Sequence, residues 1–126
     1  GECASVLIDL VGTTIIEAND KLNWANENLE KTIWADAIYH AYNVFVTGAK
    51  ALLVSKGVAT NTQYGIVKDF DEHFGTDFSE ITAGVSFKEL VFSINKNEPT
   101  EEFAGEFVAK AALFIEKVNS PAAIGK

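Results

Sequence analysis

Arginine is absent from this chain. Its planar fork of donors binds carboxylate and phosphate through two parallel hydrogen bonds, so that mode of recognition is excluded. The ten basic residues are therefore all lysine, against eighteen acidic ones, giving a net charge of −8 and a pI of about 4.6. Phosphate backbones are bound mainly by cations that displace counterions, so no nucleic-acid partner is expected. The imbalance is strongest from Asp69 to Glu106, where Lys88 and Lys96 face ten acidic side chains. A lone cysteine, Cys3, permits no internal disulfide and no cysteine-based metal or iron–sulfur site, which points to a cytoplasmic setting. Its neighbours Glu2, Ala4 and Ser5 offer no cation to activate the thiol. Histidine occurs only at His40 and His73, and no Ser or Cys sits in a nucleophile elbow, so hydrolase triads are not expected. No glycine-rich phosphate loop is present. No apolar run reaches the ~18 residues that read as a membrane span, and no basic stretch followed by an apolar one marks a signal peptide. Neither a membrane nor a cofactor is expected. Methionine is missing altogether, so the start at Gly1-Glu2-Cys3 reads as a cut from a longer polypeptide, with Gly1 as a cloning remnant.

What is present is apolar and helical. At 126 residues and 48% hydrophobic, the chain reads as a single domain, residues 1–126, burying roughly two thirds of its unfolded surface. Ile8, Val11, Ile15, Ala18, Leu22, Ala25 and Leu29 step by three and four, a seam that calls for a partner helix. A second helix is predicted from about Glu30 to Lys56. Trp34, Ile38, Ala41, Phe45, Gly48 and Leu52 form one stripe, and Tyr42, Val46, Ala49 and Leu53 a second beside it. A helix apolar on most sides is a central helix. Gly48-Ala49 would let a neighbouring backbone approach closely, and Gly57 suits the left-handed position beyond the helix end. A third helix is expected from Thr62 to Phe74, with Ile66, Val67, Phe70 and Phe74 inward and Gly75 ending it. Residues 75–85 read as a loop in which Asp77 and Glu80 could cap one short turn. Ser86-Phe87-Lys88-Glu89 has capping-box spacing and opens a short helix through Ile94. The last helix starts at Glu98 or Thr100, carries Phe103, Phe107, Ala111, Phe114 and Val118, and stops at Ser120-Pro121, with a frayed tail beyond. The expected architecture is all-α: an up-and-down bundle of four main helices plus one short helix.

Polar residues on the second helix supply the candidate site. Asp36, His40, Asn43, Thr47 and Lys50 share one face by their spacing. They could line a groove for a small polar ligand, with Asp36 orienting His40 and Lys50 meeting an anion; Asn61 joins them near the corner with the third helix. The plain alternative is a solvated helix edge. Asp36/His40 and Asp69/His73 are both Asp–His pairs four apart, yet nothing repeats the glutamate spacing of helical metal sites, and no metal is expected. Lys50, Lys56, Asn61 and Lys68 surround the corner between the second and third helices, where a capped helix–turn–helix is the simpler reading. Trp24 lies off the first seam, either as an exposed anchor at a dimer interface or as a half-buried seam edge.

Tyr39, Tyr42, Ala49-Lys50-Ala51-Leu52-Leu53, Lys56-Gly57 and Thr62-x-x-Gly65-Ile66-Val67 together resemble the core of HEPN domains. These are small helical bundles of prokaryotic toxin–antitoxin pairs and of appendages to larger proteins. The resemblance implies the same helical fold, and it keeps open a nucleotide-binding role at the corner of the second and third helices. Catalytic members are RNases that use an Arg followed a few residues later by a His; with no Arg here, the resemblance implies a non-catalytic domain. Ala35-Asp36-Ala37-Ile38-Tyr39-His40, Thr60-Asn61-Thr62, Val67-Lys68-Asp69-Phe70-Asp71 and Ile94-Asn95-Lys96-Asn97-Glu98-Pro99 further resemble the C-terminal appendage of some bacterial sulfite or nitrite reductases. That resemblance implies an accessory domain of an oxidoreductase, whose role is docking on the parent reductase body, formation of a homodimer, or regulation of the parent enzyme. The redox step itself would lie outside it, since a lone cysteine cannot hold a four-iron cluster.

Overall fold

The structure is a computed structural model and describes residues 2–75 and 77–120, with backbone alone for residues 2–8. The expectations for Gly1, for the side chains of Cys3 and Ile8 and for a frayed tail after Ser120 fall outside the described residues. Among the described residues six α-helices follow one another: α1 (Glu2–Glu30), α2 (Trp34–Ser55), α3 (Gln63–Phe74), α4 (Ser79–Thr82), α5 (Phe87–Val91) and α6 (Glu101–Val118). A 3-10 turn, Phe92–Asn95, prolongs α5. No strand occurs among the described residues. The fold is the expected all-α bundle. Its long helices are α1, α2, α3 and α6, and α5 with its 3-10 extension is the expected short one.

Helix α2 is the axis: α1, α3 and α6 all pack on it. Val11, Ala18 and Ala25 of the α1 seam are buried, with Ile15, Leu22 and Leu29 packed against the core. On α2, Ala41, Val44, Phe45, Ala49, Ala51 and Leu52 are wholly shielded from solvent, as two adjacent apolar stripes require. Where the sequence suggested close approach of a backbone at Gly48, the neighbours are side chains of α6. A Cβ there would lie 2.8 Å from Phe114 Cε2 and 3.1 Å from Ile115 Cδ1. Phenylalanines from four elements close the centre. Phe114 of α6 meets Phe45 of α2 at 5.4 Å between centroids, Phe70 of α3 at 5.6 Å, Phe78 at 5.2 Å and Phe87 of α5 at 5.3 Å.

Helix ends follow the caps. Thr62, Ser86 and Thr100 each accept a hydrogen bond from the backbone N–H three residues on, at 3.0, 3.0 and 3.1 Å, satisfying otherwise orphaned donors. Gly57, at φ 78°, completes a Schellman stop for α2: Val58 N donates to Leu53 O and Gly57 N to Val54 O, both at 2.9 Å.

The structure departs from expectation in three places. Helix α2 begins at Trp34, not Glu30. A second Schellman stop intervenes, with Ile33 N donating to Asn28 O at 2.9 Å and Thr32 N to Leu29 O at 3.1 Å. Thr32 takes the left-handed position at φ 59°, where glycine is the usual signal. Residues 79–82 form α4 within the expected loop. Its cap position is Phe78, which makes no side-chain cap bond; burial of Phe78 and Ile81 holds the turn down. Asp77 contributes not a capping carboxylate but its carbonyl, which accepts from Lys117 Nζ.

A β-branched residue in the left-handed region costs about 1–2 kcal/mol. Thr32→Gly is therefore expected to stabilise the fold by roughly 1 kcal/mol after glycine's greater unfolded-state entropy is subtracted, raising Tm by a few degrees in a calorimetric scan. Gly48→Ala should shift it the other way by about 1–3 kcal/mol, because the added methyl meets a buried phenylalanine ring. A Thr32→Gly protein that melts lower than the parent would show that the turn is not strained.

Candidate functional site

The expected polar stripe lies on one side of α2, but its members have separate surroundings. Asp36 and Lys50 are exposed and make no hydrogen bond or ion pair with the described residues. Asp36 does not orient His40. The half-buried His40 ring instead stands edge-on to two aromatic rings, Trp24 of α1 and its own neighbour Tyr39, each at 5.6 Å between centroids. Asn43 Nδ2 donates to Tyr39 O at 3.0 Å within its own helix. Thr47 is only 8% exposed. Asn61 is exposed in the connection between α2 and α3, and no hydrogen bond joins any two of these six residues.

What the stripe does share is a neighbour that its sequence spacing could not reveal. The antiparallel α1/α2 hairpin brings Trp24, 47% exposed, across to His40, while Tyr39, 61% exposed, flanks the same ring. Lys21 Nζ lies 5.8 Å from the Trp24 ring centroid and 3.8 Å from Glu17 Oε2. The hairpin thus presents an aromatic trio with one cation. Such rings combine a large apolar area with few rotatable bonds, the composition that dominates contact energies at protein interfaces.

The corner of α2, α3 and α5 is the other ordered surface. Thr60 Oγ1 donates to Asp69 Oδ2 at 2.5 Å, tying the connection onto α3. Asp71 turns both carboxylate oxygens to the start of α5, accepting from Phe87 N at 2.8 Å and Lys88 N at 2.9 Å. Its charge thereby meets the positive end of that helix. Lys88 Nζ donates to the Tyr64 hydroxyl at 3.0 Å. That hydrogen bond, reinforced by the charges of Lys88 and then Lys68, holds the Tyr64 phenol below the usual tyrosine range. Tyr42 behaves oppositely: burial, with a smaller effect of Tyr39, pushes its phenol up. Its hydroxyl donates to Gln63 Oε1 at 3.0 Å.

The second Asp–His pair does not form a site. Asp69 is engaged by Thr60, and His73 is exposed without a partner among the described residues. No group of three or more His, Cys, Asp or Glu side chains among the described residues could hold a metal. A shallow cleft of about 430 Å³, with Ile81 and Leu113 flanked by Glu80, Glu116 and Lys117, lies between α4 and the end of α6 and includes none of the expected residues. No helix among the described residues is long and apolar enough to cross a membrane.

A protein-family model, that of the HEPN domain, matches residues 13–121, from the first half of α1 past the end of α6. The chain belongs to the HEPN domain family. A protein of Methanocaldococcus jannaschii named "Putative toxin MJ0605" is 26% identical over 108 residues, covering 81% of each chain. No solved structure matches the HEPN chain.

The two phenols give a direct check on the corner. In an ultraviolet pH titration, Tyr64 should ionise before Tyr42, the first below the ordinary tyrosine value of about 10 and the second above it. Lys88→Gln should move the early step back up towards that value and leave the late one in place. An early step that survives Lys88→Gln would detach the effect from the ammonium.

Proposed function

We propose that this HEPN domain is non-catalytic and works through protein contact, self-associating by way of the α1/α2 hairpin. The observation that carries the reading is the chemical content of the helices. The chain has no arginine, and its two histidines are on different helices, one against aromatic rings and the other exposed without a partner among the described residues. Proton transfer and phosphate stabilisation on RNA call for a placed base and a donor to the oxyanion, and neither histidine has such a companion. The relative's name includes the word toxin; for the present chain the net charge of −8 opposes an RNA substrate. The exposed Trp24 and Tyr39 suit contact with protein.

The finer form of the proposal is an accessory domain of a cytoplasmic sulfite or nitrite reductase, part of a longer chain. Short words such as Ile94-Asn95-Lys96-Asn97-Glu98-Pro99 support this attachment. Blotting of source cells with an antibody to this domain should then detect a band several times 13.7 kDa, whereas a band near that mass would remove the reductase link.

Sedimentation equilibrium tests self-association. Wild type should form dimers, and Trp24→Ala with Tyr39→Ala should weaken them by at least about tenfold, the loss of ~1.4 kcal/mol. Incubation with single-stranded RNA should leave it intact. Hydrolysis that disappears on His40→Ala or His73→Ala would sink the non-catalytic reading.

A further inference from the structure

A run of rings crosses the corner between α2, α3 and the 3-10 turn. Tyr42 and Phe92 have centroids 6.3 Å apart; Phe92 and Tyr64 are 6.1 Å apart and nearly parallel, at 14°. Tyr64 is 54% exposed although its ring is large and apolar. Two cations border the run. Lys88 Nζ lies 4.8 Å from the Tyr64 centroid as well as bonding its hydroxyl. Lys68 is exposed one helical turn beyond Tyr64 on the same helix. No ion pair joins Lys68 or Lys88 to a carboxylate of the described residues. Asp69 and Asp71 accept hydrogen bonds from Thr60 and from the amides that open α5, although the charge of Asp71 still acts on Lys88. An acidic chain thus keeps two cations without an ion pair beside an exposed aromatic platform.

We propose that the Tyr42–Phe92–Tyr64 run, with Lys68 and Lys88 at its border, docks an acidic, aromatic-bearing segment of a partner protein. The proposal rests on the reading that the domain acts through protein contact, and it adds a second surface, centred on Tyr64 of α3 and bordered by Tyr42 of the hairpin. A partner carboxylate meets the two ammonium groups, where opposite charge both guides encounter and sets register. A partner ring or aliphatic side chain covers Phe92 and Tyr64, whose rigid faces lose little freedom on contact. Local charge complementarity selects this occupant over a basic one: a basic segment meets Lys68 and Lys88 directly, whereas a carboxylate is drawn to them.

Fluorescence anisotropy with the intact chain tests this. The probe is a short fluorescein-labelled peptide of alternating Glu and Phe, with alternating Lys and Phe as control. The Glu/Phe peptide should bind and the control should not, with affinity falling as salt is raised. Tyr64→Ala, and separately Lys68→Glu with Lys88→Glu, should weaken binding at least about tenfold. Tyr64→Phe, which keeps the ring, should remain within a few-fold of the parent. All three side chains are exposed, and an unchanged melting curve confirms that each variant folds. No binding, equal binding of both peptides, or binding indifferent to charge reversal would overturn the proposal. A dimer abolished by Tyr64→Ala would overturn it too, by making a second copy the occupant. Peptide failure alongside a Trp24-dependent dimer removes this surface and leaves the protein-contact reading standing; failure of both removes both.

Discussion

Everything in this bundle depends on the ring of Phe114. It touches phenylalanines from α2, from α3, from the segment before α4 and from α5. Such pairs add about 0.5–1.5 kcal/mol each beyond the area they bury. More important here is that one side chain near the end of the described chain fixes the relative positions of four others. Gly48 makes that possible, since any side chain there would push α6 outward by its contact with Phe114 and Ile115. The long helices have weak individual reasons to form, and tertiary packing of their apolar faces supplies the stability that propensity does not.

Around this centre, polar groups act as fasteners between elements. Asp71 is on α3, but its hydrogen bonds start α5. Lys117 is on α6, but it holds α4 by bonding Glu80 Oε1 at 3.0 Å and the carbonyl of Asp77, with the ring of Phe78 beneath its ammonium. Short helices cannot persist alone, and α4 and α5 do so because a longer helix supplies what their own residues lack. The two candidate contact surfaces inherit their rigidity from the same arrangement. Trp24 and His40 are held on the hairpin, and Tyr64 and Lys88 on helices joined through Asp71.

The helices themselves were legible, because apolar spacing reports directly on a face. Beyond Ile8, the α1 seam, the two stripes of α2 and the inward set of α3 are buried or packed half-buried against the core, as their periods imply. Ser86 declared its cap, whereas Thr62 read as the first residue of its helix and Thr100 as one of two possible starts. The break at Lys31-Thr32-Ile33 was not legible, since a threonine occupies a left-handed position for which glycine is the readable sign. Helix α4 was legible only as one possible short turn, because its support comes from Lys117, some forty residues downstream. Of the candidate site, the sequence could place Asp36, His40, Asn43, Thr47 and Lys50 on one helical face. It could not say that Trp24 stands against His40, because that contact depends on the register of the hairpin. Tyr64 and Lys88 are twenty-four residues apart, and no local pattern couples them.

Asp71 also sets how this molecule opens. The amide protons of Phe87 and Lys88 are shielded by a carboxylate on another helix, not by their own turn. They exchange with solvent only when α3 and α5 separate, so a fluctuation that frees one helix frees the start of the other. Helix α3 and the start of α5 are thereby coupled in hydrogen exchange. A fluctuation at the α3/α5 seam is therefore felt at the Tyr64 surface, since Tyr64 and Lys88 sit on the two helices that Asp71 joins.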